Sequence, residues 1–162
     1  MNPQFRFTAK LFQAFTHQRD ATPQDERDFK DGLGPLMEAG CFGALLLQFP
    51  WSFRFEKENR LYLLALQKRF QEFPLVLEVR HSSWTRPEVL EMLADLEMGL
   101  ANIDQPLFKR SIKPGTEATA ATGYVRLHGR NYKNWFYEQA DVRERYDYLS
   151  MNCSELAENS RT

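Results

Sequence analysis

Ionisable or amide side chains stand at the end of each of five short apolar segments of this sequence. They are Lys10, Gln48, Glu78 with Arg80, Asp104, and Arg126 with His128. Guanidinium and ammonium groups bind phosphate or carboxylate through charge-assisted hydrogen bonds, whereas carboxylates and imidazoles transfer protons or bind metals. Because three cations stand against two carboxylates, the set favours an anionic ligand over a cationic one.

The segments that carry these residues alternate with helical patterns. We expect strands over 5–10, 43–47, 75–80, 99–104 and 123–128. Helices are expected from Thr22, over about 56–72 and from Thr85, which opens a capping-box pattern ending at Glu88. Strands separated by helices imply crossover connections and a parallel sheet. The fold class is therefore α/β, an incomplete TIM (β/α) barrel with about five of the eight units.

Side-chain alternation divides each expected strand into two faces. In the third strand, Leu75, Leu77 and Val79 oppose Glu78 and Arg80. If the outer helices covered the polar face, its charged groups would be buried without partners. We therefore expect the apolar face to pack against the helices and the polar face to point into the barrel. The same reasoning assigns an inward direction to the following residues: Thr8, Lys10, Asn102, Asp104, Tyr124, Arg126 and His128.

The polar residues gather at the carboxyl ends of the strands, where parallel α/β folds bind ligands. We expect the catalytic residues to be Glu78, Asp104 and His128. The expected substrate-binding residues are Lys10, His17, Gln48, Arg80, His81, Trp84, Arg126 and Arg130. The alternative interpretation is that these ionisable groups form salt bridges with one another inside the barrel.

A metal site is a second open question. His17, His81 and His128 lie near strand ends and, with Glu78 and Asp104, could bind a divalent ion such as zinc, manganese or iron. Their spacing is not diagnostic, so metal-free acid–base catalysis remains an equal alternative. The cofactor is therefore left open.

Composition sets broad limits on partners and location. A formal net charge of −1 gives no global attraction to nucleic acid or anionic membranes, and no apolar stretch is long enough to span a bilayer. Cys41 and Cys153 show no disulfide or zinc-ribbon spacing. The start of the chain lacks the pattern of a signal peptide, so we expect a cytoplasmic protein.

Several motifs resemble those of one family. Gln48-Phe49-Pro50, Glu78-Val79-Arg80-His81-Ser82-Ser83-Trp84, Asp104-Gln105-Pro106 and Tyr124-Val125-Arg126-Leu127-His128-Gly129-Arg130 appear in the order seen in the YecE-like proteins. The resemblance implies a TIM barrel with a strand-end site at the matching positions, and it implies no reaction. Compared with that family, two strands before the chain and one after it are expected to be missing. We therefore expect 1–149 to be the central part of a barrel and 150–162 to be a divergent polar tail.

Three hypotheses about function follow. The first is a hydrolase of phosphoester or glycosidic bonds whose cation-rich pocket binds an anionic substrate. The second is a non-catalytic module that binds an anionic metabolite or a nucleic-acid end. The third is an inactive gene fragment. The sequence does not indicate an oligomeric state.

Overall fold

The computed structural model describes residues 5–128, in which five strands alternate with helices. The strands are β1 (Phe7–Lys10), β2 (Phe42–Gln48), β3 (Leu75–Glu78), β4 (Gly99–Asp104) and β5 (Tyr124–Leu127). The α-helices are α1 (Pro23–Glu38), α2 (Lys57–Arg69) and α3 (Pro87–Asp95). A π-helical turn (Ala14–Gln18) follows β1, and a 3-10 turn (Ser82–Trp84) follows β3. The expected α/β class is confirmed. The expected tail at 150–162 lies outside the described residues.

The five strands form one parallel sheet in the order β1-β2-β3-β4-β5. In a flat sheet, the first and fifth strands would lie about 19 Å apart, because neighbouring strands are separated by about 4.8 Å. Instead, the hydroxyl oxygens of Thr8 on β1 and Tyr124 on β5 are 3.4 Å apart. The sheet therefore curls into part of a barrel, and its concave face is the barrel interior.

A local sequence signal fixes where α1 begins. At α1, Thr22 and Asp25 form a reciprocal capping box, and Pro23 occupies the first turn, where no amide hydrogen is needed. Thr85 was expected to cap α3, but this prediction is wrong. The Thr85 hydroxyl donates to the carbonyl of Ser82 at 3.0 Å, and Arg86 takes the N-cap position without a side-chain hydrogen bond.

The main core lies between the convex face of the sheet and the helices. Leu45, Leu47 and Leu77 of the sheet and Leu63 and Leu66 of α2 are all fully buried. No helix within residues 5–128 is long and apolar enough to cross a membrane.

Trp84, expected from the sequence to bind substrate, belongs to this core. Its ring is fully buried, stacks on Phe53 at 5.0 Å between centroids and meets Phe55 edge-on. Its Nε1–H donates to the Phe53 carbonyl at 2.7 Å, which satisfies the polar end of the indole. Trp84 therefore joins the 3-10 turn to the segment after β2, with no surface left for a ligand.

The inward assignment of Asn102 and Asp104 is corrected by the strand register. Ile103 is the register partner of Arg126, whereas Asp104 pairs with Leu127, so β4 turns Ala101 and Ile103 inward. The physical reason is that the loop after β4 packs against the outer face of this strand and supplies polar partners for Asn102. The Asn102 side chain donates to the carbonyl of Glu117 at 2.8 Å and accepts from its amide at 2.9 Å.

Substitution of Trp84 tests the structural role of its ring. We expect Trp84→Phe to lower the free energy of unfolding by about 1–2 kcal/mol through the lost hydrogen bond, and Trp84→Ala by about 3–5 kcal/mol through the added cavity. Urea unfolding followed by circular dichroism measures both values. Trp51→Phe is the matched control, because Trp51 is 38% exposed and should change stability by less than about 0.5 kcal/mol. Equal effects at the two positions would contradict the packing described.

Candidate functional site

A buried carboxylate, that of Glu78, lies at the centre of the strand-end site. β3 ends at Glu78, whose side chain is fully buried and points into the barrel beside its register partner Gln48 on β2. Its Oε1 atom accepts from Gln48 Nε2 at 2.8 Å and from Arg80 at 3.2 Å. Its Oε2 atom accepts from Arg126 on β5, and His128 Nε2 lies 3.4 Å from Oε1. We call these five residues the Glu78 cluster.

These neighbours keep the carboxylate ionised. Burial by itself would raise the pKa of Glu78, because it penalises the charged form. The nearby His128 ring, the hydrogen bonds from Gln48 and Arg126, and the charge of Arg126 outweigh burial and lower the pKa of Glu78 from 4.5 to about 2. Near neutral pH, Glu78 is therefore an anion whose lone pairs are largely occupied, and it is poorly suited to proton transfer.

The same carboxylate fixes the positions of two guanidinium groups. Arg80 is also held from its other side, where its NH1 donates to Gln105 Oε1 at 2.8 Å. The side chains of Arg80 and Arg126 keep 21% and 31% of their surface exposed. Both guanidinium groups are thus anchored at one edge by Glu78 while part of each remains accessible to a ligand.

Lys10 extends the positive charge towards β1, and the His17 ring lies in the same region. Both side chains are exposed. Burial lowers the pKa of His17, and the charges of Lys10 and Arg80 lower it further, which shows that the three groups share one region. Thr16 Oγ1 lies 2.9 Å from His17 Nδ1 and orients the ring. Within the described residues, the concave face therefore carries three cations (Lys10, Arg80 and Arg126) around the Glu78 carboxylate.

The structure gathers some of the expected site residues and separates others. Those brought together are Lys10, His17, Gln48, Glu78, Arg80, Arg126 and His128. Asp104 lies on the opposite face of the sheet by register, Trp84 lies in the core, and His81 faces Trp51 with ring centroids 4.8 Å apart. Arg130 lies outside the described residues.

The strand-end pattern did not identify every residue near the site. Gln105 follows directly after β4 in the motif Asp104-Gln105-Pro106, and it is the residue that supports Arg80. Thr8 and Tyr124 also lie on the concave face, where their hydroxyl groups contact each other between β1 and β5. Their inward direction was predictable from alternation, but their mutual contact depends on the curvature of the sheet.

The histidine and carboxylate side chains of the site are also potential metal ligands. Among residues 5–128, no three His, Cys, Asp or Glu side chains lie close enough together to hold a metal ion. The nearest group combines Glu78 with His128, and its carboxylate is already occupied by cationic donors. Within the described part of the chain, the cluster is therefore better suited to an anion than to a metal.

Comparison with known proteins gives a consistent family assignment without a reaction. A family model described as "Protein of unknown function DUF72" matches residues 1–162. The UPF0759 protein YunF of Bacillus subtilis is 30% identical over 143 residues, which cover 81% of this chain and 51% of that protein. The chain therefore spans about half the length of this curated relative.

Two solved structures have a similar fold. The crystal structure of a DUF72 family protein from Thermotoga maritima matches with a TM-score of 0.82 and 31% identity, over 96% of this chain and 60% of that one. A DUF72 family protein from Enterococcus faecalis matches with a TM-score of 0.79 and 26% identity, over 95% of this chain and 60% of that one. These matches support the expected resemblance and the incomplete barrel.

The depressed pKa of Glu78 predicts a specific dependence of stability on pH. A carboxyl group whose pKa is lowered by folding stabilises the protein above its unfolded value of 4.5, and this stabilisation is lost as the pH falls towards about 2. At pH 7, Glu78→Gln should lower the free energy of unfolding by about 3 kcal/mol. The difference from wild type should shrink steadily between pH 5 and 2.5, in steps that urea titrations at about half-unit intervals resolve.

The matched control for this effect is Glu88→Gln, because Glu88 is an exposed acid in the first turn of α3. Its effect should be small and nearly independent of pH in that range. A constant stability gap between wild type and Glu78→Gln from pH 7 to pH 2.5 would show that the carboxylate is not held ionised by the cluster.

Proposed function

We propose a function for this chain on the premise that it belongs to the DUF72 family of proteins of unknown function. The proposed function is recognition and hydrolysis of an anionic substrate, most specifically a phosphoester, at the Glu78 cluster. One observation carries the proposal: the buried Glu78 carboxylate holds two guanidinium groups, one from the segment after β3 and one from β5, on the concave face. Because the chain covers only part of its relatives' length, the activity proposed is that of the complete barrel.

Recognition of the anion would use preorganised cations. Arg80 and Arg126 are held by Glu78 before any ligand binds, so less side-chain entropy is lost when they bind phosphate. Planar guanidinium groups match the oxygen atoms of phosphate or carboxylate and can bind them through paired hydrogen bonds. Lys10 would add positive charge at the exposed rim, and the neutral ring of His17, whose pKa is lowered, would offer a hydrogen bond beside it. The same chemistry would bind the phosphorylated end of a metabolite or of a nucleic acid.

The proposed chemical step is attack of water on phosphorus. A new P–O bond forms from water, the ester P–O bond breaks, and the leaving oxygen takes a proton. His128 is our candidate for the proton transfers, because its ring lies beside the Glu78 carboxylate, which can orient it. Glu78 would then act as an orienting and electrostatic group, since a carboxyl with a pKa of about 2 is a weak base and is ionised near neutral pH.

The geometry favours a phosphoester over a glycosidic bond. Glycosidases usually need two carboxyl groups facing each other across the bond, one of which is protonated. In residues 5–128, Glu78 is held ionised, and Asp104 lies on the other face of the sheet by register. We therefore leave Asp104 out of the proposed proton transfers.

A binding module is the second candidate, and one observation favours it. Glu78 already receives hydrogen bonds from Gln48, Arg80 and Arg126, which leaves it little capacity to activate water. In that case, the site would hold an anionic metabolite or a phosphorylated nucleic-acid end without turnover.

Anion binding is tested with inorganic phosphate and phenyl phosphate by isothermal titration calorimetry. We expect Arg126→Gln to raise the Kd for both at least about 10-fold, because it removes one fixed guanidinium group. Lys113→Gln removes the same charge from an exposed loop position and should change the Kd less than about 2-fold at 0.15 M salt. If the two variants weaken binding equally, then only net charge matters and the site assignment fails.

Catalysis is tested by a phosphoester and glycoside screen on this chain and on the longer Bacillus subtilis relative. For any ester that this chain hydrolyses, we expect His128→Asn to lower kcat about 100-fold or more, with a smaller change in KM. Arg126→Gln should mainly raise KM. Unchanged turnover in both His128→Asn and Glu78→Gln would reject the proposed roles. Binding without turnover of any ester by either protein would favour the binding module.

A further inference from the structure

A second concentration of positive charge lies outside the Glu78 cluster, on the other side of the segment after β3. Arg80 and His81 are neighbours in extended backbone, so their side chains point in opposite directions. Arg80 turns into the barrel, whereas His81 turns towards Trp51. A surface pocket of about 420 Å³ opens there, lined by His81, Ser82, Ser83, Arg86 and Arg110. We call it the His81 pocket.

The protonation of His81 follows from its hydrogen bonds. The Ser83 amide donates to His81 Nδ1 at 3.1 Å, and an amide nitrogen can only donate. Nδ1 therefore carries a lone pair, and the ring proton lies on Nε2. The Ser83 hydroxyl, which accepts from the Phe55 amide at 2.9 Å, also contacts Nδ1 at 2.9 Å and helps to fix the ring.

The Nε2–H group of His81 is a buried donor that needs an acceptor. His81 is only 6% exposed, and Nε2 has no hydrogen-bond partner among residues 5–128. Leaving such a donor unsatisfied destabilises the folded state, because its hydrogen bond to water is lost and not replaced. His81 is one of the residues that line the pocket, and a ligand oxygen that reached Nε2 from the pocket would satisfy it.

The charges around the pocket indicate an anionic ligand. Burial lowers the pKa of His81, and the charges of Arg54, Arg110 and Arg86 lower it further, against a single opposing acid, Glu56. Arg110 forms no salt bridge within the described part of the chain, and Arg86 has only a loose contact of 3.8 Å with Glu88. The cations therefore outnumber the acids and keep capacity for a ligand.

A backbone hydrogen bond and a helix end also contribute to this pocket. Arg110 is in the left-handed region, with a φ of 66°, and its carbonyl accepts a hydrogen bond from the Ser82 amide at 2.8 Å. This hydrogen bond holds Arg110 beside the pocket. Arg86 is the N-cap of α3 and provides no side-chain cap. The amino end of a helix favours a phosphate group, so the first turn of α3 would add to the attraction.

We propose that the His81 pocket is a second phosphate-binding site, in which His81 Nε2–H donates to one phosphate oxygen and Arg86 and Arg110 bind the others. Three donors suit the three terminal oxygens of a phosphate monoester better than the two oxygens of a carboxylate. The volume lies within the range of small-molecule sites, so the ligand class is a phosphorylated small molecule. This site is separate from the proposed hydrolytic site and does not depend on it.

The test follows His81 directly in the full 162-residue chain. In ¹⁵N-labelled protein, inorganic phosphate should produce a saturable shift of the His81 Nε2 resonance, and the same spectrum should show the proton on Nε2 in the free protein. Arg110→Gln should weaken this response at least 5-fold, whereas Arg110→Lys should retain much of it. Lys109→Gln is the matched control, because it removes an exposed charge from the adjacent position, and it should leave the response unchanged.

Two further measurements distinguish phosphate binding in the His81 pocket from binding at the Glu78 cluster and from binding of any anion. Arg126→Gln should leave the His81 response intact even if it abolishes binding at the Glu78 cluster. Acetate should produce a response at least 5-fold weaker than phosphate. The proposal is overturned if phosphate leaves the His81 resonance unchanged, if Arg110→Gln binds as wild type does, if acetate binds equally well, or if Arg126→Gln removes the His81 response.

Discussion

A carboxylate removed from water must be compensated by charge and hydrogen bonds, and the barrel interior is arranged around this requirement at Glu78. An ionised carboxylate buried without partners would cost several kcal/mol. Here the compensation comes from Gln48 on β2, Arg80 after β3 and Arg126 on β5. Because β5 can reach β3 only across the concave face, this set of contacts is compatible with a curled sheet and not with a flat one.

Compensation of the Glu78 charge also leaves two guanidinium groups partly exposed on the concave face. Arg80 and Arg126 each use part of their hydrogen-bonding capacity on Glu78 and keep part of their surface exposed. The excess of cations over carboxylates then remains as a positive field on the concave face. Side chains alternate in direction along the extended backbone after β3. Arg80 therefore points to the concave face, whereas His81 points to the surface that carries Trp51. A short segment therefore contributes to two chemically similar but separate environments.

Much of the fold and part of the site could be predicted from the sequence, for reasons visible in particular residues. On β3, the alternation of apolar and ionisable residues is sufficient, because helices cover its outer face and exclude charge. The rule fails on β4, where the covering loop itself has backbone groups to satisfy and therefore needs the polar Asn102. The burial of Trp84 was not predictable from local pattern, since it depends on Phe53, 31 residues earlier.

The strand order has a consequence for synthesis of the chain. Every strand pairs with its neighbour in sequence, so each β/α unit can add to the sheet as it leaves the ribosome. Glu78, however, is made 48 residues before Arg126. At a translation rate of about 5–20 residues per second, Arg126 is synthesised roughly 2–10 s after Glu78. During that interval, Gln48 and Arg80 are the hydrogen-bonding partners already synthesised, so the Glu78 carboxylate is only partly compensated until β5 joins the sheet.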